Sequence, residues 1–234
     1  MIYENIVEGK FIARPNRFIA EIEIDGKIEK AHVKNTGRCR ELLIPGAAVY
    51  LEDFSGRMGN RKMRYSLISV EKNGQIINMD SQAPNKAVHE ALLNGAITLP
   101  GLSALETVRP ETRFGDSRFD FYIKDITGKE GFIEVKGCTL EEDGIARFPD
   151  APTERGIKHI KELEAAKAEG YFAAIVFVIQ MKNISYFEPN YETHPEFASA
   201  LLHARQSGVE ILCFDCVITD STMVIDKSIE YRFR

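Results

Sequence analysis

No stretch of this chain is long and apolar enough to cross a bilayer: the run Tyr171–Met181 is too short and lies inside the chain. The first residues, Met1-Ile2-Tyr3-Glu4-Asn5, lack the basic-then-apolar pattern of a secretory signal, so a cytoplasmic location with no membrane partner is expected. Four cysteines at irregular spacing do not make a disulfide framework. Cys213-Phe214-Asp215-Cys216 has no second pair and lies in an apolar run, which favours a structural role over a zinc or redox one. His89, His194 and His203 have no metal-ligand spacing. There is no serine in a nucleophile elbow, no glycine-rich nucleotide loop and no internal repeat.

What is present is an ordinary globular composition. The chain has 234 residues, 44% hydrophobic and 28% charged, enough for one large or two small domains with a sizeable core. A net charge of −5 argues against a protein that merely coats nucleic acid, but the charge is uneven. Residues 1–80 hold 13 Lys and Arg against 11 Asp and Glu, and the remainder 17 against 24. Two basic clusters stand out in the first part: Lys27–Arg40, with Arg38 and Arg40, and Gly56–Arg64, with Arg57, Arg61, Lys62 and Arg64. They read equally as phosphate-binding patches or as solubilising loops.

Residues 1–82 read as all-β. Short β-rich segments at Phe18–Ile24, Ile28–Val33, Ala48–Phe54, Tyr65–Glu71 and Gln75–Met79 are broken by Asp25-Gly26, Pro45-Gly46, Ser55-Gly56 and Asn73-Gly74. Five short strands in this length suit an OB-like barrel, a fold that binds nucleic-acid strands. From residue 83 the pattern alternates. Helices are expected at Asn85–Asn94, Thr153–Glu169 and Pro195–Gln206, and strands around Thr107–Arg113, Arg118–Ile123, Gly131–Leu140, Tyr171–Met181 and Val209–Ile218. That order predicts a three-layer α/β domain with a mixed sheet over 83–234, so the whole is α+β.

The chemistry concentrates at Glu134-Val135-Lys136. Residues two apart on a strand share a face, so Phe132, Glu134 and Lys136 point one way and Ile133 and Val135 the other. Two charged groups in so apolar a strand need partners. Asp120 offers one: alternation in Arg118–Ile123 puts Arg118, Asp120 and Tyr122 on one face and Phe119, Phe121 and Ile123 on the other. Two carboxylates form a hard oxygen site suited to Mg²⁺ or Mn²⁺, and a lysine beside it can orient water or stabilise a phosphoryl transition state. The bland alternative is a solvated strand face. A second candidate is the start of the helix at Thr153, where Arg155, Lys158 and His159 could receive a phosphate.

With Asp120 on one strand and Glu134-x-Lys136 on the next, these elements resemble the PD-(D/E)xK nuclease superfamily. Nearly the whole chain resembles the sugar fermentation stimulation protein A family. The likeness rests on Asn35-Thr36-Gly37-Arg38, Leu43-Ile44-Pro45-Gly46, Asn85-Lys86, Gly115–Asp120, Glu134–Leu140 and the long block Phe148–Gly156. It implies an OB-like first domain, a nuclease-like second domain, DNA binding and a role in regulating sugar metabolism. It also implies that Asp120, Glu134 and Lys136 are catalytic. The metal would sit on Asp120 and Glu134, with the Val135 carbonyl and Glu90 as further ligands. Phe119 stands where the superfamily name expects Pro, and Asp116, in a turn-like Gly-Asp-Ser setting, is a rival to Asp120. The expected function is a DNA-binding, Mg²⁺- or Mn²⁺-dependent phosphodiester hydrolase. The competing expectation is a DNA-binding regulator that keeps the fold without cleaving. The oligomeric state is open, a homodimer being one option.

Overall fold

The computed structural model describes residues 1–35, 37 and 39–234. Six strands come first: β1 (Ile6–Asn16), β2 (Ile19–Ile24), β3 (Lys27–Val33), β4 (Ala48–Asp53), β5 (Tyr65–Lys72) and β6 (Gln75–Asn78). Asp25 and Gly26 have φ of 50° and 74°, and Asn73 and Gly74 have 53° and 73°. Positive φ at both central residues twists the β2–β3 and β5–β6 hairpins as their strands require. The strands pair in the order β3-β2-β1-β4-β5-β6, and a parallel β3–β5 pairing closes a five-stranded barrel. Thus β1, which no hydrophobic alternation announced, supplies a barrel strand, and β6 extends from β5 outside the closed ring. Only Gly9 and Phe11 of β1 are buried, so pairing with β2 and β4 holds it more than packing does. Gly9 is required there. A Cβ would lie 2.6 Å from Ile22 Cγ2 and 2.9 Å from the Glu23 carbonyl.

The second unit follows with α1 (Ala83–Leu93), β7 (Leu105–Phe114), β8 (Ser117–Asp125), β9 (Glu130–Cys138), β10 (Leu140–Glu142), β11 (Ile145–Phe148), α2 (Glu154–Ala168), β12 (Phe172–Ile179), β13 (Tyr186–Pro189), α3 (Pro195–Gln206), β14 (Glu210–Ile218) and β15 (Met223–Ser228). Six strands form a mixed sheet in the order β15-β14-β12-β9-β8-β7, parallel from β14 through β12 to β9 and antiparallel at both sides. All eight residues of β12 are buried, as a central strand covered on both faces must be. Ala173, Ile175 and Phe177 pack with Ile160 and Leu163 of α2 and Phe197 and Leu201 of α3. Ala174, Val176 and Val178 pack with Ala87, Val88 and Ala91 of α1. These are the three layers. A small sheet, β10-β11-β13, lies beside them.

The two units are joined tightly. The barrel core and the α2/α3 side of the large sheet form one continuous apolar cluster. Gln180 Nε2 donates to Asn78 Oδ1 at 3.0 Å, and the Asn78 N–H donates to the Gln180 carbonyl at 3.0 Å. Lys72 meets Glu141 at 3.0 Å. The first residues also cross over: Ile2 bridges Thr222, and Met1 and Tyr3 are buried with the α1 side of the sheet. Among the described residues, no helix is long and apolar enough to cross a membrane.

Candidate metal and nucleic-acid site

Strands β8 and β9 pair in register as far as Phe121↔Ile133, and there the ladder ends. The next residue of β8, Asp120, fills the gap with its side chain. Its Oδ2 accepts the Val135 N–H at 2.7 Å, and its Oδ1 accepts Asn85 Nδ2 from α1 at 2.6 Å. The carboxylate thus replaces a backbone acceptor where the strands part. Simple alternation along β8 fails at this point. Phe121 and Ile123 do face α1, but Phe119 packs on Phe132, ring centroids 5.4 Å apart, on the opposite side. The neighbouring strand shows a matching irregularity. Between the pairs Pro110↔Phe121 and Thr112↔Phe119, Glu111 takes a φ of 54°.

On β9 the expected face holds. Glu134 is 3% exposed and lies on the α2 side with Phe132 and Lys136. Its Oε1 takes Lys136 Nζ at 2.5 Å and also the Nδ1 of His159 from α2. Its Oε2 is buried and has no hydrogen-bond partner. Arg155, one turn earlier on α2, donates from Nε to His159 Nε2 at 3.3 Å. Burial pushes Asp120 up to about 6, with the Glu134 charge adding to the effect. Burial also raises Glu134, but the His159 hydrogen bond and the Lys136 ammonium outweigh it and hold that carboxyl below its ordinary value.

Asp120, Glu134 and Lys136 are therefore brought together, and Val135 lies between the two acids with its N–H committed to Asp120. Glu90 is not brought to them. Its carboxylate ion-pairs with the Met1 amine at 2.6 Å and is largely exposed, because this flank of α1 meets β15 and the start of the chain. Asp116 sits in the exposed two-residue turn that joins Phe114 to Ser117. Two partners escaped sequence reasoning. Asn85 was visible only as part of the Asn85-Lys86 motif. His159 is expected from its place in the first turns of the helix to receive a phosphate, but the residue is 6% exposed and turned in to Glu134. The C-x-x-C cysteines are buried and free, with thiols pushed up by burial, in keeping with a structural role.

At the start of α2, Thr153 caps the helix by accepting the Gly156 N–H at 3.0 Å, and Arg155 and Lys158 are exposed. Lys158 makes only a loose pair with Glu162, at 3.7 Å. In the barrel, the basic loop is largely engaged. Arg57 pairs with Glu52 at 3.0 Å and Glu4 at 3.2 Å, and Arg64 grips Asp53 at 2.8 and 2.5 Å. Arg61 donates to Ser66 at 2.5 Å and lies 3.6 Å over the Phe54 ring. Arg40 and Lys62 are exposed. Arg38 lies outside the described residues. A polar cavity of about 110 Å³ opens between the units, lined by Asn35, Gly137, Thr139, Arg147, Asp150 and Gln180. Three of the motif blocks meet there.

Among the described residues, no three His, Cys, Asp or Glu side chains form a ready-made metal cage. The donor set nevertheless fits a hard cation that keeps most of its water. It offers two neighbouring carboxylates, one with a bare buried oxygen and one raised in pKa by burial and by the charge of the other.

A family model described as the sugar fermentation stimulation protein RE domain matches residues 82–222, and one described as the SfsA N-terminal OB domain matches residues 12–79. A sugar fermentation stimulation protein homolog of Desulfitobacterium hafniense is 52% identical over 95% of this chain and 94% of its own. One from Ruminiclostridium cellulolyticum is 53% identical over 99% of this chain and 100% of its own. Among solved structures, Pyrococcus furiosus SfsA in complex with Ca²⁺ is 32% identical, with a TM-score of 0.88 over 100% of this chain and 98% of that one.

Proposed function

The chain belongs to the sugar fermentation stimulation protein family, and on that footing we propose that it is a cytoplasmic, Mg²⁺- or Mn²⁺-dependent phosphodiesterase acting on nucleic acid, DNA first. The observation that carries this reading is the bare, buried Oε2 of Glu134 beside a second carboxyl, Asp120, raised to about 6. A carboxylate oxygen buried without a partner costs several kcal/mol, and a cation shared with Asp120 removes that cost. The similar Pyrococcus furiosus protein is described with Ca²⁺, a hard oxygen-seeking ion of the same class.

Asp120 and Glu134 would hold the cation, with the Val135 carbonyl as a further oxygen. When bound, it would lower the pKa of a coordinated water and neutralise charge on the phosphodiester. Lys136, anchored by one hydrogen bond to Glu134 Oε1, holds its ammonium beside the acids, where it orients the attacking water or meets a phosphoryl oxygen. The Val135 N–H and Asn85 fix the Asp120 carboxylate, so little reorganisation is needed on binding. Arg155 and Lys158, at the N-terminus of α2, would hold a flanking phosphate, and Arg40 and Lys62 on the barrel would follow the backbone further out.

The test uses purified full-length protein with labelled single- and double-stranded DNA and RNA, in Mn²⁺ or EDTA, beside Asp120→Ala and Lys136→Ala. Cleavage that needs metal and is lost in both variants is the expected result. DNA binding that survives both changes, with no cleavage of any substrate, would instead make the protein a non-catalytic regulator.

A further inference from the structure

Glu134 has two oxygens with opposite fates. Oε1 receives both Lys136 Nζ and His159 Nδ1, whereas Oε2 receives nothing. What decides this division lies one helical turn away. Arg155 Nε always carries hydrogen, so where it meets His159 Nε2 at 3.3 Å that nitrogen must accept. The ring's hydrogen is then on Nδ1, which can only donate, and it donates to Oε1. The same tautomer rules out His159 as a metal ligand through Nδ1, although the ring touches the carboxylate.

We infer that Arg155 and His159 are positioning residues that form a tautomer lock, dedicating Oε1 of Glu134 to the protein and reserving Oε2 for the cation. The inference rests on the metal-dependent reading above. Its chemical logic is that of histidine–carboxylate pairs behind metal sites, where the outer hydrogen bond fixes orientation and basicity of the ligand. Here the order is reversed: the carboxylate is the ligand and the imidazole the support. Arg155 joins two jobs, because the residue lies exposed near the start of α2 while its Nε holds the ring. A phosphate drawn to this guanidinium would therefore be seated on the group that organises the cation.

The experiment has a metal-free arm and a metal arm, both on the full chain. With five histidines in the chain, nitrogen-15 NMR of the apo protein resolves His159, assigned by the signal missing in His159→Asn. Hydrogen on Nδ1 and a bare Nε2 is expected, with the Nε2 resonance displaced in Arg155→Met, which removes the donor to that nitrogen. Hydrogen on Nε2 in the unaltered protein would overturn the lock, whatever the metal data show. In the second arm, Mn²⁺ affinity is measured by calorimetry. His159→Leu is expected to weaken it about tenfold to a hundredfold. His159→Asn, whose amide can donate from the place of Nδ1, should recover most of the loss. Equal affinity in the unaltered protein and His159→Leu sinks the inference but leaves the phosphodiesterase reading standing. An Nδ1–H ring in a protein that binds no Mn²⁺ upholds the lock's geometry and refutes both the reserved oxygen and that reading.

Discussion

The barrel's basic loop and the acidic pair of the second unit are both dense in charge, but they differ in how much of it is already used. Arg57, Arg61 and Arg64 are held by Glu4, Glu52, Asp53, Ser66 and the face of Phe54. Their charge serves chiefly to fasten the loop between β4 and β5. Asp120 and Glu134 are the reverse. Glu134 is buried and Asp120 partly so, they repel each other, and one oxygen is left bare. Charge density in a sequence therefore says little about charge available to a ligand. What counts is whether the fold supplies a partner, and here it supplies partners to the arginines and withholds a full set from the acids.

The sharpest way to break this contrast is to remove one of the acids or the lysine beside them. Asp120→Ala and Lys136→Ala should each lower Mn²⁺-dependent cleavage at least about a hundredfold, the scale for losing a preorganised electrostatic group. A residual rate within a few-fold of the unaltered protein would mean that the pair is not the active centre. Next in size is a stability effect. Asp120 has a native pKa of about 6 against 3.8 in the unfolded chain, so its favourable contribution is complete only below 3.8 and is lost as pH rises through about 6. Metal-free Asp120→Asn should accordingly gain about 3 kcal/mol on the unaltered protein between pH 3.8 and 7 in urea denaturation, from some two units at 1.36 kcal/mol each. A stability difference independent of pH would show that the carboxyl is not under strain.

The barrel side of the comparison carries smaller effects. Arg57→Ala should cost about 1 kcal/mol of stability through the lost ion pairs and its place 4.6 Å over the Phe54 ring, with the salt dependence of DNA binding unchanged. Lys62→Ala, at an exposed cation, should do the opposite: no change in melting, and a slope of log affinity against log salt reduced by about one. If Arg57→Ala flattened the salt slope as much as Lys62→Ala, the distinction between engaged and available charge would collapse.

Local patterns were legible where the backbone itself demanded a residue. Asp25-Gly26 and Asn73-Gly74 announced their hairpins because both positions need positive φ. The Glu134-x-Lys136 spacing announced a shared face because strand geometry leaves no alternative. β1 was hidden because only two of its residues are buried, which leaves no period to detect. The face taken by Phe119 was hidden because alternation assumes an unbroken ladder, and the ladder to β9 ends at Phe121. Glu90 and His159 were misread for a common reason: their partners, Met1 and Glu134, are distant in sequence, and a helix residue's own neighbours do not reveal which flank the sheet will claim.

Gly37 of the barrel lies so close to Asp150 that even a methyl group would reach within 2.4 Å of its carboxylate, and Asn35 and Ser81 share the cavity wall with β9. The two units are therefore not interchangeable parts. A chimera that paired this second unit with a foreign barrel would inherit the acids and the lysine yet lose one wall of the cavity between the units. Selection on either half has to act on both, which makes the pair, and not the single fold, the heritable piece of machinery.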